Sequence, residues 1–82
     1  MNRKIYVGNL PTTFEELDLE NLFKNHGNVL SANIFNQPAQ HWFGKYGFVE
    51  MSSESEAKEA IMKLNSHLIF GRRITVSHIL TR

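Results

Sequence analysis

The chain has 82 residues, room for one domain with a modest core and none for a second. Its composition, 41% hydrophobic and 21% charged with five Gly and two Pro, is that of a folded globular chain. The absence of cysteine excludes disulfides, thiolate chemistry and Cys-based zinc sites. No apolar run is long enough for a signal peptide or a membrane span. These features lead to the expectation of a complete, cytoplasmic protein that makes no use of a membrane.

The formal net charge is only +1, but its distribution is uneven. Seven of the eight acids (Glu15, Glu16, Asp18, Glu20, Glu54, Glu56, Glu59) fall in the two segments read below as helices, with only Lys24, Lys58 and Lys63 to offset them. Arg3, Lys4, Lys45, Arg72, Arg73 and Arg82 lie elsewhere against the single acid Glu50. If the helices cover one side of a sheet, the other side is the positive one.

In chain order, Lys4-Ile5-Tyr6-Val7-Gly8 alternates with β-type residues and predicts a strand. Thr13 and Glu16 form a capping box that opens a helix. Leu19, Leu22, Phe23 and His26 follow at helical spacing, and Gly27 is placed to stop it. Val29 to Phe35 is a second strand, Asn36 to Phe43 a loop, and Lys45 to Met51 a third strand. Ser53 and Glu56 form a second capping box, and Ala57, Ala60, Ile61 and Leu64 make an i, i+3, i+4, i+7 stripe. Ile69 reads as core, with Leu68 and Phe70 partly exposed. Gly71 turns the chain into a last strand, Arg73 to His78. The order is βαββαβ in one domain, 1–82, with its core about 3–78.

Two helices can cover only one face of a four-stranded sheet. Alternation puts Ile5, Val7, Gly47, Val49, Met51, Ile74 and Val76 on one face, leaving Tyr6, Tyr46, Phe48 and Glu50 on the other. Choosing the aliphatic set as core predicts three aromatic rings on an open, basic face. Such rings have two readings. They can stack the free π-faces of single-stranded bases, contributing roughly 1–3 kcal/mol each, with Lys4, Lys45 and Arg73 meeting phosphates. They can equally form cross-strand aromatic pairs contributing up to about 1 kcal/mol.

Ile5-Tyr6-Val7-Gly8-Asn9-Leu10 and Gly44-Lys45-Tyr46-Gly47-Phe48-Val49-Glu50-Met51 resemble the shorter and longer motifs of the RNA recognition motif family, in the first and third strands of a βαββαβ chain. The resemblance covers about Arg3 to Ser77, and the chain looks like the short stand-alone members found in bacteria. It implies an α+β, ferredoxin-like sandwich: a four-stranded antiparallel sheet with the motif strands central and both helices on one face. It also implies that Tyr6, Tyr46 and Phe48 hold the base-stacking positions, with Asn9, Asn33, Thr75 and Ser77 as candidates for base-edge hydrogen bonds.

Three departures stand out. The longer motif begins Gly44-Lys45 rather than with a basic residue followed by glycine. By alternation Lys45 then points to the helix side unless a bulge at Gly44 turns it outward. Met51 replaces the usual final aromatic, a tolerated core exchange. The loop Asn36 to Phe43 holds neither Lys nor Arg. Its Trp42 and Phe43 admit three readings: a side clamp on a base, a protein-binding or self-association patch, or peripheral core.

The expected function is therefore binding of single-stranded RNA, with single-stranded DNA not distinguished, by base stacking on the open face. The alternative is a protein-interaction module on the same scaffold, acting through the helices or through Trp42 and Phe43. No enzyme, cofactor or metal is expected: His26, His41, His67 and His78 are scattered, and no phosphate-loop spacing is present. Weak basicity predicts a shallow salt dependence, from about one to three phosphate contacts.

Overall fold

The computed structural model describes residues 2–36 and 45–79. The elements are β1 (Lys4–Leu10), α1 (Glu16–Lys24), β2 (Val29–Asn36), β3 (Lys45–Met51), α2 (Glu54–Leu64), β4 (Leu68–Ile69), β5 (Arg72–Arg73) and β6 (Thr75–His78). Four strands form an antiparallel sheet in the order β2-β3-β1-β6, and β4 and β5 form a separate hairpin. The two motif-bearing strands are neighbours at the centre of the sheet, in the expected ferredoxin-like arrangement.

The helices begin where side chains satisfy free backbone N–H groups and end in backbone turns. α2 opens as expected, with the Ser53 hydroxyl accepting the Glu56 N–H at 3.2 Å. α1 opens two residues later than the Thr13–Glu16 pair predicts. Phe14 is buried and its N–H closes a turn onto the Pro11 carbonyl at 3.0 Å. Glu15 is the N-cap, its N–H donating to Asp18 Oδ2 at 2.9 Å. The Glu16 carboxylate is used elsewhere: it accepts the N–H of Ile34 at 3.0 Å. At the other end the helix stops at Lys24, short of His26. The His26 N–H reaches Phe23 O at 2.9 Å in a tighter turn, and Gly27 takes a φ of +150°.

The last expected strand is divided. Phe70 and Gly71 both have positive φ, 48° and 80°, and form a two-residue turn that pairs Ile69 with Arg72 and Leu68 with Arg73. Ile74 N–H then donates to His67 O at 3.0 Å, and Ser66 N–H to Ile74 O at 2.9 Å. Only Thr75–His78 remains to pair with β1. Val76 N–H donates to Asn65 Oδ1 at 3.0 Å on the strand's outer edge. Arg73 therefore belongs to the hairpin and not to the sheet.

The core lies between the sheet and the two helices. Ile5, Val7 and Leu10 of β1 meet Val49 and Met51 of β3, Val76 of β6, Leu19 and Phe23 of α1, and Ala57, Ala60 and Leu64 of α2. Met51 is fully buried, consistent with an exchange of one apolar side chain for another. Ile69 packs against this cluster, whereas Leu68 and Phe70 are exposed. Gly47 has no room for a side chain: a Cβ there would lie 2.5 Å from the backbone oxygen of Asn33 on the neighbouring strand and 3.0 Å from Leu19 Cδ2 of α1. Gly47→Ala is thus expected to lower stability by about 1–3 kcal/mol, read as a fall in the midpoint of chemical denaturation.

Glu56 ties the start of α2 to the turn before β2. Its carboxylate accepts the Ser52 hydroxyl, the Ser53 hydroxyl at 3.1 Å and the Asn28 N–H at 3.2 Å. The Ser52 hydroxyl, followed by the Asn28 N–H, holds this carboxyl below the usual glutamate value of 4.5. A lowered folded-state pKa gives stability that is fully present above the unfolded value and is lost as pH falls through the folded one. Glu56→Gln should therefore lower the melting temperature at neutral pH. Thermal melts in acid should show that deficit shrinking as pH drops below 4.5.

Candidate nucleic-acid interface

Strand register fixes what lies on the face that no helix covers. Tyr6 stands opposite Phe48 and Ser77, Phe48 opposite Asn33, and Tyr46 opposite Phe35. One row along, Lys4 faces Glu50, and Glu50 faces Ser31. On β6 the exposed Thr75 and Ser77 face Gly8 and Tyr6.

The three expected rings come together. Centroids are 6.2 Å apart for Tyr6–Tyr46, 6.1 Å for Tyr6–Phe48 and 5.8 Å for Tyr46–Phe48. These separations suit edge or offset contact, so each ring is half-buried by its neighbours. Alternation in β2 adds a fourth ring. Ala32 and Ile34 pack inward, so Asn33 and Phe35 point out, and Phe35 lies 5.6 Å from both Tyr46 and Phe48. Period-two alternation along β2 places Phe35 on the same face as Asn33, a signal the sequence carries.

Tyr6 lies flat along the sheet because position 8 has no side chain. A Cβ on Gly8 would stand 2.5 Å from the Tyr6 hydroxyl and 2.9 Å from two ring carbons. Just beyond, the β1–β3 register shifts between Val7 and Leu10, and Asn9 takes a φ of 60°.

The expected polar contacts divide into two groups. Asn33, Thr75 and Ser77 are exposed on the ring-bearing face. Asn9 is instead committed to the hairpin: its Nδ2 donates to Arg73 O at 2.8 Å and its Oδ1 accepts from Arg72 Nη2 at 2.7 Å. Lys45 follows strict alternation, and its Nζ reaches the Phe14 carbonyl at 3.0 Å on the helix side, away from the rings. The Arg73 guanidinium donates to Ser66 O at 3.1 Å. Lys4 is exposed and stands opposite Glu50 in the strand register, and the Glu50 carboxylate pairs with Arg3 at 3.1 Å. The open face is consequently less basic than the residue count predicts. Arg72, pinned by Asn9, is a cation near this end of the sheet that sequence reading passed over. An open groove of ≈ 340 Å³ lies beside Phe48, with Lys4, Ser31, Asn33, Glu50 and Ile79 along it. Trp42 and Phe43 lie outside the described residues. Among the described residues no cluster of His, Asp and Glu is gathered to hold a metal ion, and no helix is long and apolar enough to cross a membrane.

Gly8→Val should lift the Tyr6 ring while leaving the core in place. The expected record is loss of the Tyr6-to-Tyr46 and Tyr6-to-Phe48 NOEs, with amide shifts of the helices unchanged.

Comparison with known proteins agrees with this geometry. The chain is 42% identical over 74 residues to the small ribosomal subunit protein cS22 of Arabidopsis thaliana, covering 90% of this chain and 29% of that protein. It is 40% identical to the chloroplastic 28 kDa ribonucleoprotein of Spinacia oleracea, covering 90% and 32%. The chain thus spans about a third of the length of these curated relatives. The crystal structure of RNA binding protein PG1 superposes with a TM-score of 0.82 at 36% identity, covering 98% of this chain and 96% of that one. The cytoplasmic location expected from composition is corrected by these relatives, among which are chloroplastic ribonucleoproteins. A chain without cysteine suits any reducing aqueous compartment, so composition does not separate cytosol from chloroplast. The family model of the RNA recognition motif matches residues 5–75, and with both motif strands paired at the centre of the sheet the chain belongs to that family.

Proposed function

We propose that this chain binds single-stranded RNA by stacking bases on Tyr6, Tyr46 and Phe48. The carrying observation is the contact of these three rings, at 5.8–6.2 Å, on a face no helix covers. Family membership supports the same reading, as do relatives named as ribonucleoproteins. Asn33, Thr75 and Ser77 frame the rings and would read base edges, and the groove beside Phe48 would admit the edge of a stacked base. The role is that of a binding module, one domain over the whole chain, rather than an enzyme. The protein-interaction reading, through the helices or through Trp42 and Phe43, gains no support from the family or the relatives.

Affinity should come from stacking more than from charge. Lys45 and Arg73 are turned to backbone carbonyls and Glu50 sits on the open face. Among the described residues phosphate contact would therefore fall to Lys4, exposed opposite Glu50, and to Arg72, whose guanidinium Asn9 holds. With one or two phosphates neutralised, log affinity should fall against log salt with a slope of about −1.

Phe48→Ala should weaken binding by roughly 1–3 kcal/mol with the fold intact. An NMR titration with short RNA oligonucleotides should move the amides of Tyr6, Tyr46, Phe48 and β6. A steep salt slope combined with indifference to Phe48→Ala would sink the stacking mechanism. Competition by the matching DNA oligonucleotide would show whether the 2′-hydroxyl is read.

A further inference from the structure

We infer that Phe35 is a fourth base-stacking seat, which extends the platform across β2 to the margin of the sheet and admits one nucleotide more than the motif rings alone. This inference rests on the RNA-binding reading above and deepens it.

Phe35, Tyr46 and Tyr6 form a strip running across the strands. Phe35 and Tyr46 are 5.6 Å apart with planes inclined by 28°, and Tyr46 and Tyr6 are 6.2 Å apart at 29°. Phe35 thus continues the row of contacting rings from β1 and β3 onto the outer strand β2. Phe35 keeps 43% of its surface exposed despite touching two neighbours. A ring serving only as a cross-strand brace gains from burial, and this one leaves a large part of its surface to water. The spacing also describes the ligand. Stacked nucleotides rise about 3.4 Å along a strand, so bases seated 5.6–6.2 Å apart are unstacked from each other and each rests on its own ring. That selects an extended, unpaired segment rather than a helix or a stacked run.

Charge sets this seat apart from the others. β2, Val29 to Asn36, contains no Lys or Arg. A base on Phe35 would therefore add affinity without releasing a counterion. The extra seat should raise the binding constant and leave the salt slope unchanged.

The test uses the full chain with RNA homo-oligonucleotides of each base, two to six nucleotides long, followed by fluorescence anisotropy at two salt concentrations. Phe35→Leu keeps apolar bulk but has no π-face. It should bind the longer oligonucleotides roughly 5- to 150-fold more weakly, bind the dinucleotides as the wild type does, and show the same salt slope. Phe35→Trp should bind the longer oligonucleotides at least as tightly as the wild type. In the wild-type complex with the longer oligonucleotides, NOEs should connect the Phe35 ring to base protons, a readout independent of how any variant folds. Equal affinity of wild type and Phe35→Leu at every length, or absence of those NOEs, overturns the fourth seat. Loss of binding in Phe48→Ala alongside that result would leave the three-ring mechanism standing. Indifference to both substitutions would bring down the mechanism and the fourth seat together.

Discussion

The seating of α1 against the centre of the sheet at Gly47 is the contact on which the rest depends. Leu19 and the Asn33 backbone close over that position so tightly that a methyl group has no place there. With α1 held on this side, and α2 beside it over Val49, Met51 and Val76, β3 has no choice of face. Its residues of even number, Tyr46, Phe48 and Glu50, must point away from the helices. The open face is thus a consequence of the packed one, and a fault in the core would reach the rings through register.

Most of this architecture was legible in the sequence because period two is unambiguous in β1 and β3. Ile5 and Val7, with Val49 and Met51, leave Tyr6 and Phe48 a single direction. The parts that escaped do so because a side chain is claimed by a partner distant in sequence, or because a local turn divides a strand. Glu16 looks like a capping residue for Thr13 but meets Ile34 across the fold. Arg73 looks like a strand cation but lies in the hairpin set by Phe70 and Gly71, an unusual turn because its first residue is bulky. Asn9, at a motif position, spends its amide on Arg72 and Arg73. Phe35 differs from these. It obeys the same alternation as Asn33 and was visible in principle.

Charge and aromaticity take separate roles here. The basic residues outside the helices promise an electropositive surface, yet their side chains largely turn to backbone carbonyls or to Glu50. What remains on the open face is a group of rings in mutual contact, edged by Asn33, Thr75 and Ser77. On the proposed reading such a surface discriminates by whether a base can be laid flat, and only secondarily by the density of phosphate.

Both margins of the sheet are stoppered by side chains: Glu16 takes the Ile34 N–H on β2, and Asn65 takes the Val76 N–H on β6. A flat sheet with a naked aromatic face is the kind of surface that recruits further strands and grows into fibrils. With hydrogen-bond donors in the middle of each outer strand already occupied, an incoming strand finds its ladder interrupted on either side. The protein can keep its rings uncovered, awaiting a ligand, without offering its borders as a template for aggregation.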